Sequence, residues 1–224
     1  MRKVNIALGI TTGVLIVVGA FLLFKRLRLS NFKRRLIDNT NREWELWGKS
    51  EYNDYGGYTR GSRECDYVYR ERVAEYWNKG PKKDREGCDG VPWSSAFISY
   101  VMKKSGAGND FEYSSAHTDY IRRFINNRKK NIKSPFKAYR LREKPVELGD
   151  LICYSRQENV DYDTTWSYKS HCDIVVNVDK RRNKAEVIGG NVTDGVTKRI
   201  VNLSDKGYLR DTSQDWFTII KNKK

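Results

Sequence analysis

Histidine is scarce in this sequence, with only His117 and His171 among 224 residues. Any chemistry that runs through an imidazole must use one of these two. Cysteine is nearly as sparse. Cys65, Cys88, Cys153 and Cys172 show neither the CxxC spacing of a zinc ribbon nor histidines at ligand spacing, so no metal and no cofactor is expected. Proline occurs 4 times and no internal repeat is visible, which excludes a collagenous or low-complexity chain. Acidic residues are absent from the first 37 positions, which hold eight Lys or Arg. The net charge of +15 is therefore concentrated at one end, and the other 187 residues carry 35 basic against 28 acidic side chains. That balance is only mildly basic. With no glycine-rich phosphate loop and no recognised nucleic-acid fold, nucleic acid is not the expected partner.

What the chain does have begins with an uncharged, apolar run from Val4 to Phe24. Its length suits a helix spanning a bilayer, and no small-x-small cleavage site precedes Lys25, so a single retained transmembrane helix is expected. Residues 1–37 then form an anchor with a basic flank, 38–64 a linker, and 65–224 the folded domain. The flank of Lys25, Arg26, Arg28, Lys33, Arg34 and Arg35 argues for a cytoplasmic domain, whereas a cell-wall function needs the periplasmic or wall side. Oligomeric state is not legible. Helical spacing predicts helices over Asp66 to Lys79, Trp93 to Gly106 and His117 to Arg128. Short β-rich runs follow, at Asp150 to Tyr154, Cys172 to Val178, Ala185 to Ile188, Lys198 to Leu203 and Trp216 to Ile220. Helices first and strands afterwards imply an α+β domain with an antiparallel sheet. Pro135 to Arg142 and the basic residues of the third helix read as a solvated surface, with attraction to anionic wall polymer, lipid or nucleic acid as the functional alternative.

Several residues carry chemistry-compatible patterns. His171 opens a predicted strand and alternation places it on one face with Asp173, opposite Cys172 and Ile174. It is a general base or a structural histidine. In Pro92-Trp93-Ser94-Ser95-Ala96-Phe97, hydroxyl residues sit at a helix start, where free N–H groups and the helix dipole favour a developing anion. Serine there is equally an ordinary helix cap. His117 starts the third helix and either lines a cleft or bonds a backbone carbonyl. Cys153 and Cys172, in consecutive predicted strands, either pair or simply pack.

The order of these motifs resembles a known family. Trp93-x-x-Ala96-Phe97, then Leu148-Gly149-Asp150-Leu151-Ile152-Cys153-Tyr154, then Ser170-His171-Cys172-Asp173-Ile174-Val175-Val176, then Val187-Ile188-Gly189-Gly190-Asn191-Val192 is similar to the NlpC-like and CHAP-like branch of the papain-like superfamily. Pro92 to Met102 followed by Phe111 to Ile121 resembles an uncharacterised bacterial and phage subfamily of that branch. The resemblance spans residues 65–220. It implies Ser94 as nucleophile, His171 as general base and Asn191 as orienter, with Asp173 as the alternative; His117 and Trp93 are separate candidates for contact with the substrate. It further implies hydrolysis of peptide or amide bonds in peptidoglycan stems through an acyl-enzyme. The departure is serine where the family has cysteine, which leaves either a serine hydrolase or a catalytically inactive wall-binding or assembly module.

Overall fold

The computed structural model describes residues 29–224, and these build four α-helices and one eight-stranded sheet. Helix α1 (Asn31–Leu46) starts at Ser30, whose hydroxyl oxygen accepts from the Lys33 N–H at 3.2 Å. That bond satisfies one of the donors a helix leaves free in its first turn. The helix buries Phe32, Leu36 and Ile37, then Asn39, Thr40 and Glu43. Its second half occupies the segment expected to be a linker. The inward face is polar there, so no apolar period marks it: Asn39 Nδ2 donates to Ser105 Oγ at 3.0 Å, and the nearly buried Glu43 carboxylate holds the Arg72 guanidinium. Two short strands follow, β1 (Ser50–Tyr52) and β2 (Tyr58–Thr59).

Helix α2 (Tyr67–Lys79) turns Val73, Tyr76 and Trp77 inward, α3 (Ser94–Ser105) is buried over most of its length, and α4 (His117–Lys129) buries Tyr120, Ile121, Phe124 and Ile125. All three fall within a residue or two of their expected bounds. Strands β3 (Phe136–Tyr139), β4 (Leu151–Ser155), β5 (Ser170–Asp179), β6 (Lys184–Val192), β7 (Gly195–Asn202) and β8 (Asp215–Asn222) complete the sheet in the order β2-β1-β7-β6-β5-β4-β8-β3. One pairing is parallel, β1 with β7, where Ser50 faces Thr197. The expected antiparallel sheet is thus corrected to a mixed one. The parallel strand comes from ahead of α2 and α3, and three residues are too few to show alternation. Strand β3 corrects the solvated reading of Pro135 to Arg142, since Phe136 and Ala138 alternate into the core.

The helices and one face of the sheet share a core containing Phe97, Val101, Phe124, Leu151, Cys153, Cys172, Ile174 and Ile188. The other face carries a second cluster with Ile152, Tyr154, Val175, Val187 and Trp216. Cys153 lies directly opposite Cys172 and is bonded to it, so this pair is a disulfide. A second disulfide, Cys65–Cys88, ties the residues before α2 to the loop before α3.

Among the described residues no helix is long and apolar enough to cross a membrane. The longest, α1, has 16 residues and spans about 24 Å at ~1.5 Å per residue, with Lys and Arg along it. The transmembrane helix expected ahead of the domain, and the single-pass location that rested on it, therefore find no support in the structure. The run over 4–24 itself lies outside the described residues.

Asp150 explains the Leu148-Gly149-Asp150 motif in structural terms. Fully buried, it accepts from the N–H of Asn222 at 3.0 Å and of Glu147 at 2.8 Å and pairs with the Lys221 ammonium, fastening the start of β4 to the end of β8. Asp150→Ala leaves two backbone donors unmatched and takes the buried carboxylate from Lys221, which keeps Glu147 at 2.9 Å and the Pro145 carbonyl at 2.8 Å. The expected loss, read by urea unfolding, is about 2–3 kcal/mol.

Candidate active site

Three hydrogen bonds bring the beginnings of α3 and α4 together. The hydroxyls of Ser95 and Ser99 donate to the Ser114 carbonyl at 2.8 and 3.0 Å, and the Ser114 N–H donates back to Ser99 Oγ at 3.0 Å. Ser94, first residue of α3, then stands beside His117, first residue of α4, with Oγ 2.7 Å from Nε2. The other ring nitrogen, Nδ1, is bonded to the Tyr120 hydroxyl. Burial holds the His117 imidazole well below its ordinary pKa, and His171 and Arg156 push the same way. The ring is therefore neutral at neutral pH. Burial likewise keeps the Tyr120 phenol protonated, far above its usual range. When Nδ1–H donates to the Tyr120 oxygen, Nε2 is free to accept the Ser94 proton, which is the arrangement a general base requires.

His171 lies in the same neighbourhood, its ring centroid 5.2 Å from that of His117, but both of its nitrogens are already engaged. Nε2 is 2.9 Å from Asp173 Oδ1, and Nδ1 is 3.2 Å from the Arg156 guanidinium. A guanidinium only donates, so Nδ1 accepts and the ring proton sits on Nε2, donated to Asp173. Burial lowers the His171 pKa despite the opposing pull of Asp173. Burial works to raise Asp173, yet Arg199 and His171 outweigh it and hold the carboxyl well below the usual carboxylate range. His171 and Asp173 thus meet as expected from strand alternation, with Arg156 and Arg199 as partners that no sequence pattern announced.

The expected contact of Ser94 with His171 is replaced by the one with His117, because His171 is committed to Asp173 and Arg156. Asn191 does not orient an imidazole. It sits in the left-handed region at φ 54°, where the pairing of β6 with β7 shifts register, and donates through Nδ2 to Glu64 Oε2 at 3.3 Å. Asparagine tolerates that backbone better than most residues. Trp93 is a core residue, 1% exposed, stacked on Trp47 at 5.1 Å and bonded through Nε1 to Glu64. It belongs to the support of α3 and not to a substrate surface.

Ser94 and His117 open onto a cleft of about 790 Å³, whose walls include Trp77, Arg156, Tyr168 and Lys169. The first-turn N–H groups of α3 have no acceptor within their own helix and stand beside the Ser94 hydroxyl. A hydroxyl, a neutral imidazole at hydrogen-bond distance and free backbone donors are together chemically able to support acyl transfer. Among the described residues no group of three or more His, Cys, Asp or Glu is placed to hold a metal ion.

A family model described as "Uncharacterized protein conserved in bacteria (DUF2272)" matches residues 70–221. That range runs from the first turns of α2 to the end of β8 and contains Ser94, His117, His171 and Asp173. No curated protein and no solved structure matches the chain.

Gly189 gives a test of the polar cluster. A Cβ there would stand 2.0 Å from Asp173 Oδ1 and 2.7 Å from His171 Nε2, so Gly189→Ala must displace that pair. The expected result is a destabilisation of about 1–3 kcal/mol in chemical unfolding, with the His171 ring resonances shifted in NMR spectra.

Proposed function

The chain belongs to the DUF2272 family, and from the geometry of its site we propose that it is a serine hydrolase of peptide or amide bonds. The observation that carries the proposal is the Ser94 Oγ to His117 Nε2 contact of 2.7 Å at the cleft. Ser94 attacks the substrate carbonyl as its proton passes to His117 Nε2, and the oxyanion that forms is met by first-turn N–H groups of α3. The C–N bond then breaks while His117 returns the proton to the departing amine. Water, deprotonated by the same imidazole, hydrolyses the acyl-Ser94 ester. Tyr120 holds the ring in the tautomer this cycle needs. His171, Asp173, Arg156 and Arg199 form the charged wall against which His117 packs.

The motif resemblance to the NlpC-like and CHAP-like branch supports stem peptides of peptidoglycan as the substrate. One observation favours a second reading, a catalytically inactive wall-binding module. The partner of His117 is a phenol, which stabilises an imidazolium less than a carboxylate does.

Digestion of purified peptidoglycan by the full-length chain, with fragments identified by mass, separates the two. Turnover by wild type that falls by roughly a thousandfold or more in both Ser94→Ala and His117→Ala is the expected result. Wall binding without new fragments would overturn the hydrolase reading in favour of the binding module.

The base also fixes a pH profile. His117 works unprotonated and its pKa is lowered from 6.5, so the acid limb of kcat/KM must bend below pH 6.5. Activity stays full on descending to that pH and is lost only beneath it. An inflection at or above 6.5 would remove His117 from the role of base.

A further inference from the structure

The cleft beside Ser94 is strongly basic. Its walls carry Lys83, Arg85, Arg156 and Lys169, and no Asp or Glu. Arg85 is drawn toward Asp89 at 3.3 Å, but Lys83, Arg156 and Lys169 have no carboxylate within ion-pair distance among the described residues. Three further polar atoms of cleft residues, Trp77 Nε1, the Tyr168 hydroxyl and Ser170 Oγ, are buried with no hydrogen-bond partner among the described residues. Indole N–H is a donor only. Three solvent-exposed cations without a carboxylate partner, gathered on the walls of one cleft, attract an anion, and the planar fork of Arg156 suits a carboxylate.

Arg156 also touches the polar cluster behind the site. Its guanidinium donates to His171 Nδ1 at 3.2 Å while forming part of the cleft wall. A neutral imidazole is a weak partner for a guanidinium, and a carboxylate arriving in the cleft offers a stronger one.

We infer that the cleft selects peptide or amide substrates bearing a free carboxylate close to the scissile carbonyl, and that Arg156 is the residue that recognises it. This rests on the hydrolase reading for the reaction, but the selectivity belongs to binding and is measurable without turnover. Arg156 takes two of the carboxylate's lone pairs, and Lys169 and Lys83 add charge. The site therefore discriminates by charge before it discriminates by side-chain shape.

The test uses a matched pair of probes, acetyl-Ala-Asp amide and acetyl-Ala-Asn amide, titrated into the full-length protein by calorimetry. Their p-nitroanilides serve in parallel for turnover. The anionic probe is expected to bind roughly tenfold more tightly at low salt, with the gap shrinking as salt rises. Arg156→Gln should close most of the gap, Arg156→Lys should retain part of it, and Lys169→Gln should reduce it less. Thermal unfolding of each variant shows whether the domain is intact. A gap in binding with neither anilide cleaved would leave this inference standing and remove the hydrolase reading. Equal binding of the two probes, or binding of neither, would overturn the inference whether or not the anilides are cleaved.

Discussion

Two adjacent residues without side chains, Gly189 and Gly190 of β6, set the spacing on which the site depends. On one face of the strand, a Cβ at Gly189 would collide with Asp173 and His171. On the other, a Cβ at Gly190 would come within 2.5 Å of Phe97 and 2.9 Å of Trp93, at the start of α3. The bare strand thus admits the polar cluster on one side and the serine-bearing helix on the other. Because interiors are close-packed, neither could be accommodated by a small relaxation around a methyl group. The position of Ser94 follows from this contact, and that of His117 from the serine hydroxyls that tie α4 to α3.

The resulting site differs from the arrangement its motif order suggests. The strand histidine, His171, is held in a neutral, fully engaged state between the Asp173 carboxylate and the Arg156 guanidinium. The helix-start histidine, His117, faces the serine. The two imidazoles are both depressed in basicity by burial, so neither competes for a proton at neutral pH. Their roles are nevertheless distinct, because only His117 has a nitrogen against a nucleophile. The cost of burying Asp173 is offset by Arg199 and His171, and Arg156 extends that charged assembly to the wall of the cleft.

Much of the fold was legible because its patterns are local. Helices α2, α3 and α4 carry apolar residues at helical spacing and end at Gly80, Gly106 and Lys130, and strands β4 to β8 are short β-branched runs between turns. Helix α1 was hidden because half of its buried face is Asn39, Thr40 and Glu43, whose partners Ser105 and Arg72 lie far along the chain. Strands β1 and β3 were hidden by brevity and by the charge around them. Within the site, Ser94 and the shared face of His171 and Asp173 followed from helix-start and strand-alternation chemistry. The pairing of Ser94 with His117 is a tertiary fact set by the Ser95, Ser99 and Ser114 bonds, which no spacing encodes. The family resemblance implied an orienting role for Asn191, whereas the backbone explains it as a left-handed residue at a register shift. Arg156 and Arg199 gave no signal, since isolated arginines in a basic chain are unremarkable until their neighbours are known.

The central claim is that burial and His117 together make Ser94 a nucleophile. Its most direct test is the reaction of the full-length protein with a fluorophosphonate, followed by intact-mass and peptide-mass analysis. The account predicts a single adduct on Ser94 in the wild type and in His171→Gln, and none in His117→Gln when that variant is folded. Absence of any adduct on folded wild-type protein, or labelling of Ser94 that persists without His117 and disappears without His171, would contradict it.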